Sequence, residues 1–120
     1  MDTESEGSRK SFRFALTASV DVVEGQERAA FGTLIDLSRD GCAIRSLTPL
    51  NIGRNYTFHI RGLGTWNGKI VRRFDGRNYG VMFENSESQK RHIDRLLTEI
   101  LEGKINAYDL LPQRPKIRAF

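Results

Sequence analysis

The stretch YTFHIR at residues 56–61 decides the fold class, because large apolar side chains alternate in it with polar ones. A period of two places Tyr56, Phe58 and Ile60 on one face of an extended chain, which is typical of a strand with one buried side. Six short strands separated by frequent turns predict an antiparallel β-barrel, with a helix only at its end. The other five runs of this kind lie at residues 14–23, 29–37, 42–47, 66–74 and 79–83.

Gly32 lies inside the second run, where a glycine predicts a bend or bulge of the strand. The segment after the strands predicts a C-terminal helix with both ends marked. Ser86 and Gln89 have the spacing of a capping box, and Gly103 suits the first position beyond the helix. We expect one apolar face to close an end of the barrel, formed by Ile93, Leu96, Leu97, Ile100 and Leu101.

The composition limits the possible function classes. The 120 residues allow one domain, and a single cysteine, Cys42, excludes an intrachain disulfide or a zinc cluster. No apolar run approaches a membrane helix and the acidic start is unlike a secretory signal, so we expect a cytoplasmic protein without a membrane span. The acidic residues 1–8 and the basic residues 104–120 offset each other, which leaves the net charge of +4 on the body. This mild charge fits a small anionic ligand better than duplex DNA.

Two arginines precede the first strand in the sequence RKSFR, which ends at Arg13. On one helical turn, or in a curled loop, Arg9 and Arg13 point to the same side. Guanidinium groups bind phosphate oxygens, or the O6/N7 edge of guanine, through two parallel hydrogen bonds, and they also stack on bases. The alternative is a solvated basic segment, which is the usual state of a run of charges.

A second motif, DLSRDG, begins at Asp36, where the second strand ends. Alternation points Ile35 and Leu37 toward the core, so that Asp36 and Ser38 lie together on the outside of the barrel. A carboxylate there can accept hydrogen bonds from N1–H and the exocyclic amine of guanine. Gly41 permits a positive φ and a close backbone approach to a ligand. The alternative is an ordinary Asx or Ser turn at the end of a strand.

Taken together, the two motifs resemble those of the PilZ domain, the bacterial receptor module for cyclic di-GMP. That family is marked by RxxxR ahead of the first strand and by [D/N]xSxxG at a later strand end, and every fixed position is present here. The later strands GKIVRR, from Gly68, and YGVMF, from Tyr79, are also similar. The resemblance implies a six-stranded antiparallel split barrel with a C-terminal helix over residues 9–103. It leaves residues 1–8 as a disordered tail and residues 104–120 as an irregular basic tail.

The resemblance further implies that cyclic di-GMP, with no other cofactor and no metal, binds on the outer barrel surface. Arg9 and Arg13 would hold guanine edges and phosphates, while Lys10, where many relatives have a further arginine, would neutralise phosphate as a point charge. Arg72 is either a stacking platform on the same surface or an exposed strand arginine. Whether one or two ligands bind stays open. The implied ligand residues are Arg9, Lys10, Arg13, Asp36, Ser38 and Gly41.

A receptor of this kind would order its RxxxR loop around the ligand and signal to a separate, unidentified protein. Two alternatives stay open: a PilZ-fold protein–protein adaptor without nucleotide binding, and a small barrel that binds single-stranded nucleic acid. A nucleic acid polymer is the less favoured partner. An enzyme is not expected, because no catalytic constellation is evident. His59 is predicted on the outside of its strand and His92 on the solvent side of the helix. Cys42 is predicted in the core with Phe58, Trp66 and Tyr79.

Overall fold

The computed structural model describes residues 13–105, which form six strands followed by one helix. All neighbouring strands pair antiparallel, and the first strand pairs with both the second and the fourth, so the sheet closes into a barrel. The predicted barrel with a terminal helix is therefore confirmed. The elements are β1 (Phe14–Glu24), β2 (Glu27–Leu37), β3 (Gly41–Ser46), β4 (Asn55–Ile60), β5 (Gly64–Phe74), β6 (Asn78–Phe83) and α1 (Glu87–Leu101), and the strand order around the barrel is β1-β2-β3-β6-β5-β4.

Alternate side chains of the strands fill the barrel interior, as the period of two predicts. Phe58, Trp66 and Tyr79 are all buried in one core cluster, which confirms their predicted place. The hydroxyl oxygen of Tyr79 accepts a hydrogen bond from the backbone N–H of Leu50 (3.1 Å), so its polar end is satisfied inside the protein. Each large side chain contributes about 1.5–3 kcal/mol through burial. The core therefore uses the inward positions, and the outward positions are free to form a binding surface.

Strand β2 contains an extra residue just before the second motif. Its pairing with β3 shifts register between Leu34 and Asp36, and Ile35 has no partner across the ladder. Ile35 is consequently exposed, whereas Leu37 is fully buried. The prediction that both residues face the core is wrong for Ile35, because a bulge breaks the alternation on which it depended.

Strand β5 contains a comparable irregularity at Val71, immediately before Arg72, where its pairing with β6 shifts register. A bulge changes the direction of the side chains that follow it. Asp36 and Arg72 each follow a bulge, so the two bulges set the directions of these side chains. Gly32, by contrast, lies in a regular part of β2. A Cβ there would collide with the backbone carbonyl oxygen of Arg45 on β3. This glycine thus allows a close approach of two strands, and a bulge at that position, one of the two predicted irregularities, is absent.

The C-terminal helix has the predicted ends. Ser86 is the N-cap and forms a complete capping box with Gln89, and Gly103 follows the helix with a φ of +78°. The helix packs on the core chiefly through Ile93, but Leu101 is 65% exposed. At 3.6 residues per turn Leu101 lies about 80° around the axis from Ile93, outside the contact face, so its predicted place is wrong. Within residues 13–105, no helix has the length and apolar character needed to cross a bilayer.

Candidate functional site

The second arginine of the first motif lies beside the aspartate of the second. Arg13 Nη2 donates to Asp36 Oδ1 over 2.7 Å, and the two side chains are 50% and 25% exposed. An arginine just ahead of β1 and a carboxylate near the end of β2 are therefore neighbours on the outer surface. Arg9 and Lys10 lie outside the described residues, so the structure places only the second of the two motif arginines.

Ser38 has a different place from the one predicted. It is 1% exposed and does not stand beside Asp36 on the outer surface. Its Oγ accepts hydrogen bonds from the backbone N–H groups of Asp40 (3.2 Å) and Gly41 (3.1 Å) and donates to the carbonyl oxygen of Gly41 (3.1 Å). β2 ends at Leu37 and the chain turns toward β3 from Ser38, so the alternation of the strand does not extend to this residue. Ser38 builds the turn that connects β2 to β3 and thereby fixes where the motif loop lies.

Replacing Ser38 with alanine is expected to lower the free energy of unfolding by about 1–3 kcal/mol. The substitution leaves one buried and one partly buried backbone N–H group without the Ser38 acceptor, which costs roughly that amount. Urea denaturation of the variant and of wild type measures the difference. Ser88→Ala, an exposed serine in the first turn of α1, serves as the control with little expected effect. Equal stability of the Ser38 variant and wild type would contradict the role given to this hydroxyl.

Gly41 is required by packing inside the barrel wall. It is not among the glycines with a positive φ, so the prediction of that backbone conformation is wrong. A Cβ at this position would collide with the backbone carbonyl oxygen of Val81 on β6. The structure thus shows a close approach of Gly41 to the neighbouring strand, and the approach to a ligand stays a prediction.

One row of paired residues crosses four strands on the outer side of the barrel. Asp36 in β2 pairs with Ala43 in β3, Ala43 pairs with Gly80 in β6, and Gly80 pairs with Arg72 in β5. Three strand spacings separate the two ends by about 14 Å. Small residues occupy the middle of the row and charged residues its ends. The result is a low surface: Ala43 is 5% exposed and Gly80 is buried, so neighbouring side chains cover the middle of the row.

Arg72 belongs to this surface. An ideal Cβ on Gly80 would lie 3.1 Å from Arg72 Cγ, so the alkyl part of the arginine covers the glycine. Its guanidinium carbon lies 4.9 Å from the centroid of the Phe74 ring. A planar cation held against an aromatic ring is positioned to stack on, or donate to, a ligand. The structure therefore joins Arg72 to the row that begins at Asp36.

Sequence reasoning missed two residues beside this row. Arg45 is exposed on β3, two positions from Ala43, and its Nε donates to Asn78 Oδ1 over 3.3 Å. Asn78 is 8% exposed and therefore holds the arginine from a nearly buried position. The alternation of β3 would have placed Arg45 outside, but no motif drew attention to it.

The variable positions of the second motif contact the helix. Arg39 Nε lies 3.6 Å from Asp94 Oδ2, and Lys90 Nζ lies 3.3 Å from Asp40 Oδ1. The side-chain amide of Asn85, just ahead of the helix, also donates to the carbonyl oxygen of Arg39 (3.2 Å). The loop that follows Asp36 is thus attached to α1 by polar contacts on both of its variable charged residues.

The cysteine and the two histidines singled out in the sequence have different surroundings. Burial raises the pKa of the Cys42 thiol well above its usual range, and the nearby Asp36 carboxylate adds to the increase. Such a thiol is a poor nucleophile, and its place in the core is confirmed. His59 is exposed with Nδ1 2.8 Å from Thr65 Oγ1. His92 is exposed and stacks on Trp66. Among residues 13–105, no three His, Cys, Asp or Glu side chains cluster as a metal site.

Comparison with known proteins gives a family and a fold. A PilZ domain model matches residues 8–99. The PilZ domain of YcgR from Escherichia coli, determined with c-di-GMP, matches with a TM-score of 0.63 at 16% identity, covering 84% of this chain and 97% of that one. The K. pneumoniae MrkH–c-di-GMP complex matches with a TM-score of 0.57 at 22% identity, covering 80% of this chain and 54% of that one.

A Legionella uncharacterized protein, Lpg0364, has the same fold, with a TM-score of 0.53 at 13% identity over 78% of this chain and 97% of its own. No curated protein gives a match. At these identities the solved structures establish the shared barrel-and-helix architecture, and the family model establishes the relationship in sequence.

Proposed function

Because the chain belongs to the PilZ domain family, we propose that it is a receptor for cyclic di-GMP, which it binds on the outer face of the barrel. The observation that carries the proposal is the contact between Arg13 and Asp36 at the head of a row of small residues that ends at Arg72. Two motif residues far apart in sequence meet there on an accessible surface. Within the proposal, Arg9 and Lys10 complete the arginine motif.

The side chains beside this surface match the chemistry of a guanine dinucleotide. The carboxylate of Asp36 can accept from N1–H and the exocyclic amine of one guanine, which is a pairing that adenine does not offer. The Arg13 guanidinium can donate two parallel hydrogen bonds to a phosphodiester or to the O6/N7 edge of guanine. Arg72 can stack on a purine ring. Gly80 and Ala43 carry no large side chain, so a ligand that displaces the Arg72 side chain from Gly80 can approach the strands.

Ligand binding would begin with an exchange of partners. Arg13 already pairs with Asp36 in the structure, so a ligand must take the donor, the acceptor or both into new hydrogen bonds. The exposed ion pair is worth less than about 1 kcal/mol and is a small obstacle to this exchange. In our proposal the arginine segment then folds over the ligand, and the changed surface is recognised by a partner protein.

The contacts between the motif loop and α1 support the second half of this proposal. A displacement of the loop by ligand would act on Arg39 and Asp40, whose ion pairs reach Asp94 and Lys90 of the helix. A change at the nucleotide surface can therefore alter the helix without a second domain. We propose a cytoplasmic effector that binds and signals and has no catalytic step, cofactor or metal of its own.

Calorimetric titration of the full chain with cyclic di-GMP tests the proposed function. Saturable binding that GTP does not compete away is the expected result. Heteronuclear NMR in the same titration should shift the amides of Asp36, Gly41 and Gly80 first. Broad, strongly salt-dependent binding to any oligonucleotide would point instead to a single-stranded nucleic-acid protein. Absence of any nucleotide binding would favour the remaining alternative, a PilZ-fold protein–protein adaptor.

A further inference from the structure

Arg45 is an arginine on the proposed nucleotide surface that neither motif includes. It lies on the outward side of β3, two residues from Ala43, which is a distance of about 7 Å along the strand. Its pairing partner across the ladder is Asn78 of β6. Asn78 precedes Gly80 by two residues on the same face of that strand. Arg45 therefore borders the two small residues at the middle of the row.

A hydrogen bond to a nearly buried residue holds the side chain of Arg45 in place. Its Nε donates to Asn78 Oδ1, and Asn78 is nearly buried. This contact uses the inner nitrogen of the guanidinium group and leaves the two terminal nitrogens to donate elsewhere. A guanidinium fixed at Nε loses less freedom when it binds an anion than a fully mobile one.

The charge of Arg45 has no carboxylate partner among residues 13–105. Some other surface cations in that range are paired, among them Arg13 with Asp36, Arg28 with Asp21, and Arg54 with Glu24. Neither Arg45 nor Arg72 forms an ion pair within 4.0 Å with a described residue. Two uncompensated guanidinium groups thus flank Gly80 on the surface where Asp36 already matches the charge of Arg13.

We propose that Arg45, held by Asn78, is a further ligand-binding residue of this site and donates its terminal nitrogens to a phosphodiester group of cyclic di-GMP. This inference rests on the proposed function, because it needs a doubly charged dinucleotide on this face. A phosphodiester presents two oxygens that match the planar fork of an arginine. With two such groups per ligand, one can pair with the arginine motif of Arg9, Lys10 and Arg13 while the other lies near Arg45.

Calorimetric titration of Arg45→Gln with cyclic di-GMP tests this inference. The variant is expected to bind about tenfold more weakly than wild type, as is usual for one lost charge-assisted hydrogen-bond pair. Arg45→Lys, which keeps the charge but not the fork, should recover only part of the loss. The affinity of Arg45→Gln should also fall less steeply as salt is added, since one charge contact is gone.

Arg91→Gln is the matched control, because Arg91 is exposed on α1 opposite the face that packs on the barrel, and it should bind as wild type does. Equal affinity of Arg45→Gln and wild type overturns the inference and leaves the proposed function intact. Equal losses in the Arg45 and Arg91 variants also overturn it. Failure of wild type to bind cyclic di-GMP overturns both the inference about Arg45 and the proposed function. In wild type, the Arg45 side-chain Nε resonance should shift during the titration, and an unmoved resonance contradicts the contact without any mutation.

Discussion

Replacing Arg13 with alanine is expected to weaken cyclic di-GMP binding by about 30- to 4,000-fold. Truncating one side of a charge pair that a ligand buries costs roughly 2–5 kcal/mol, and each 1.4 kcal/mol is a factor of about ten. In the free protein the same arginine forms a half-exposed ion pair with Asp36, which contributes less than about 1 kcal/mol to folding. The variant should therefore fold normally and bind poorly. Calorimetry and thermal denaturation measure the two effects separately.

Arg28→Ala is a suitable control for this experiment. Arg28 also forms an exposed ion pair, with Asp21 (3.4 Å), but it lies at the opposite end of β2 from Asp36. Its loss should leave the affinity for cyclic di-GMP unchanged. If Arg13→Ala bound as tightly as wild type, or if both variants lost affinity equally, the proposed role of Arg13 would be wrong.

Gly41→Ala is expected to destabilise the fold by about 3 kcal/mol, the upper end of the usual cost of overpacking. The new Cβ meets the backbone carbonyl oxygen of Val81, and neither strand can move away without breaking the ladder between β3 and β6. The loss of stability is expected with or without ligand. Chemical denaturation of the free protein measures it.

A glycine in open space provides the comparison. Gly25, in the turn between β1 and β2, has a φ of +65° and nothing within 4 Å of an added Cβ. Asparagine tolerates this backbone conformation better than most residues, so Gly25→Asn should cost little. A stable Gly41→Ala protein whose only defect was ligand binding would show that Gly41 serves the ligand and not the barrel wall.

Local patterns were sufficient to predict the fold. The alternation at residues 56–61 indicates a strand with one buried face, whichever strands lie beside it. The spacing of Ser86 and Gln89 predicts the start of a helix from a segment of only four residues. Leu101 shows the limit of such local sequence patterns. Its spacing assigns it to the apolar face, but how far around the helix the barrel extends is decided by tertiary packing.

The candidate site was predicted in outline only, because its details depend on pairing between distant strands. Nothing local to Ile35 shows that it has no partner across the ladder. Ser38 differs from Asp36 because β2 ends at Leu37 and the chain turns there. The constraint on Gly41 comes from Val81, on another strand. Arg45 has no motif around it and becomes notable only beside Asn78. The roles of Arg9 and Lys10 remain predictions from the motif.

The pairing of β1 with β4 has a consequence for how a partner could recognise this protein. Each described strand has neighbours on both sides, with β1 paired to β4 over residues 20–23, so the paired part of the barrel offers no backbone edge to which another chain could add a strand. There a partner must recognise side chains on the barrel wall, as it would on the surface of α1. Such a recognition surface changes when a nucleotide covers part of it, whereas a main-chain edge would present the same hydrogen bonds in both states.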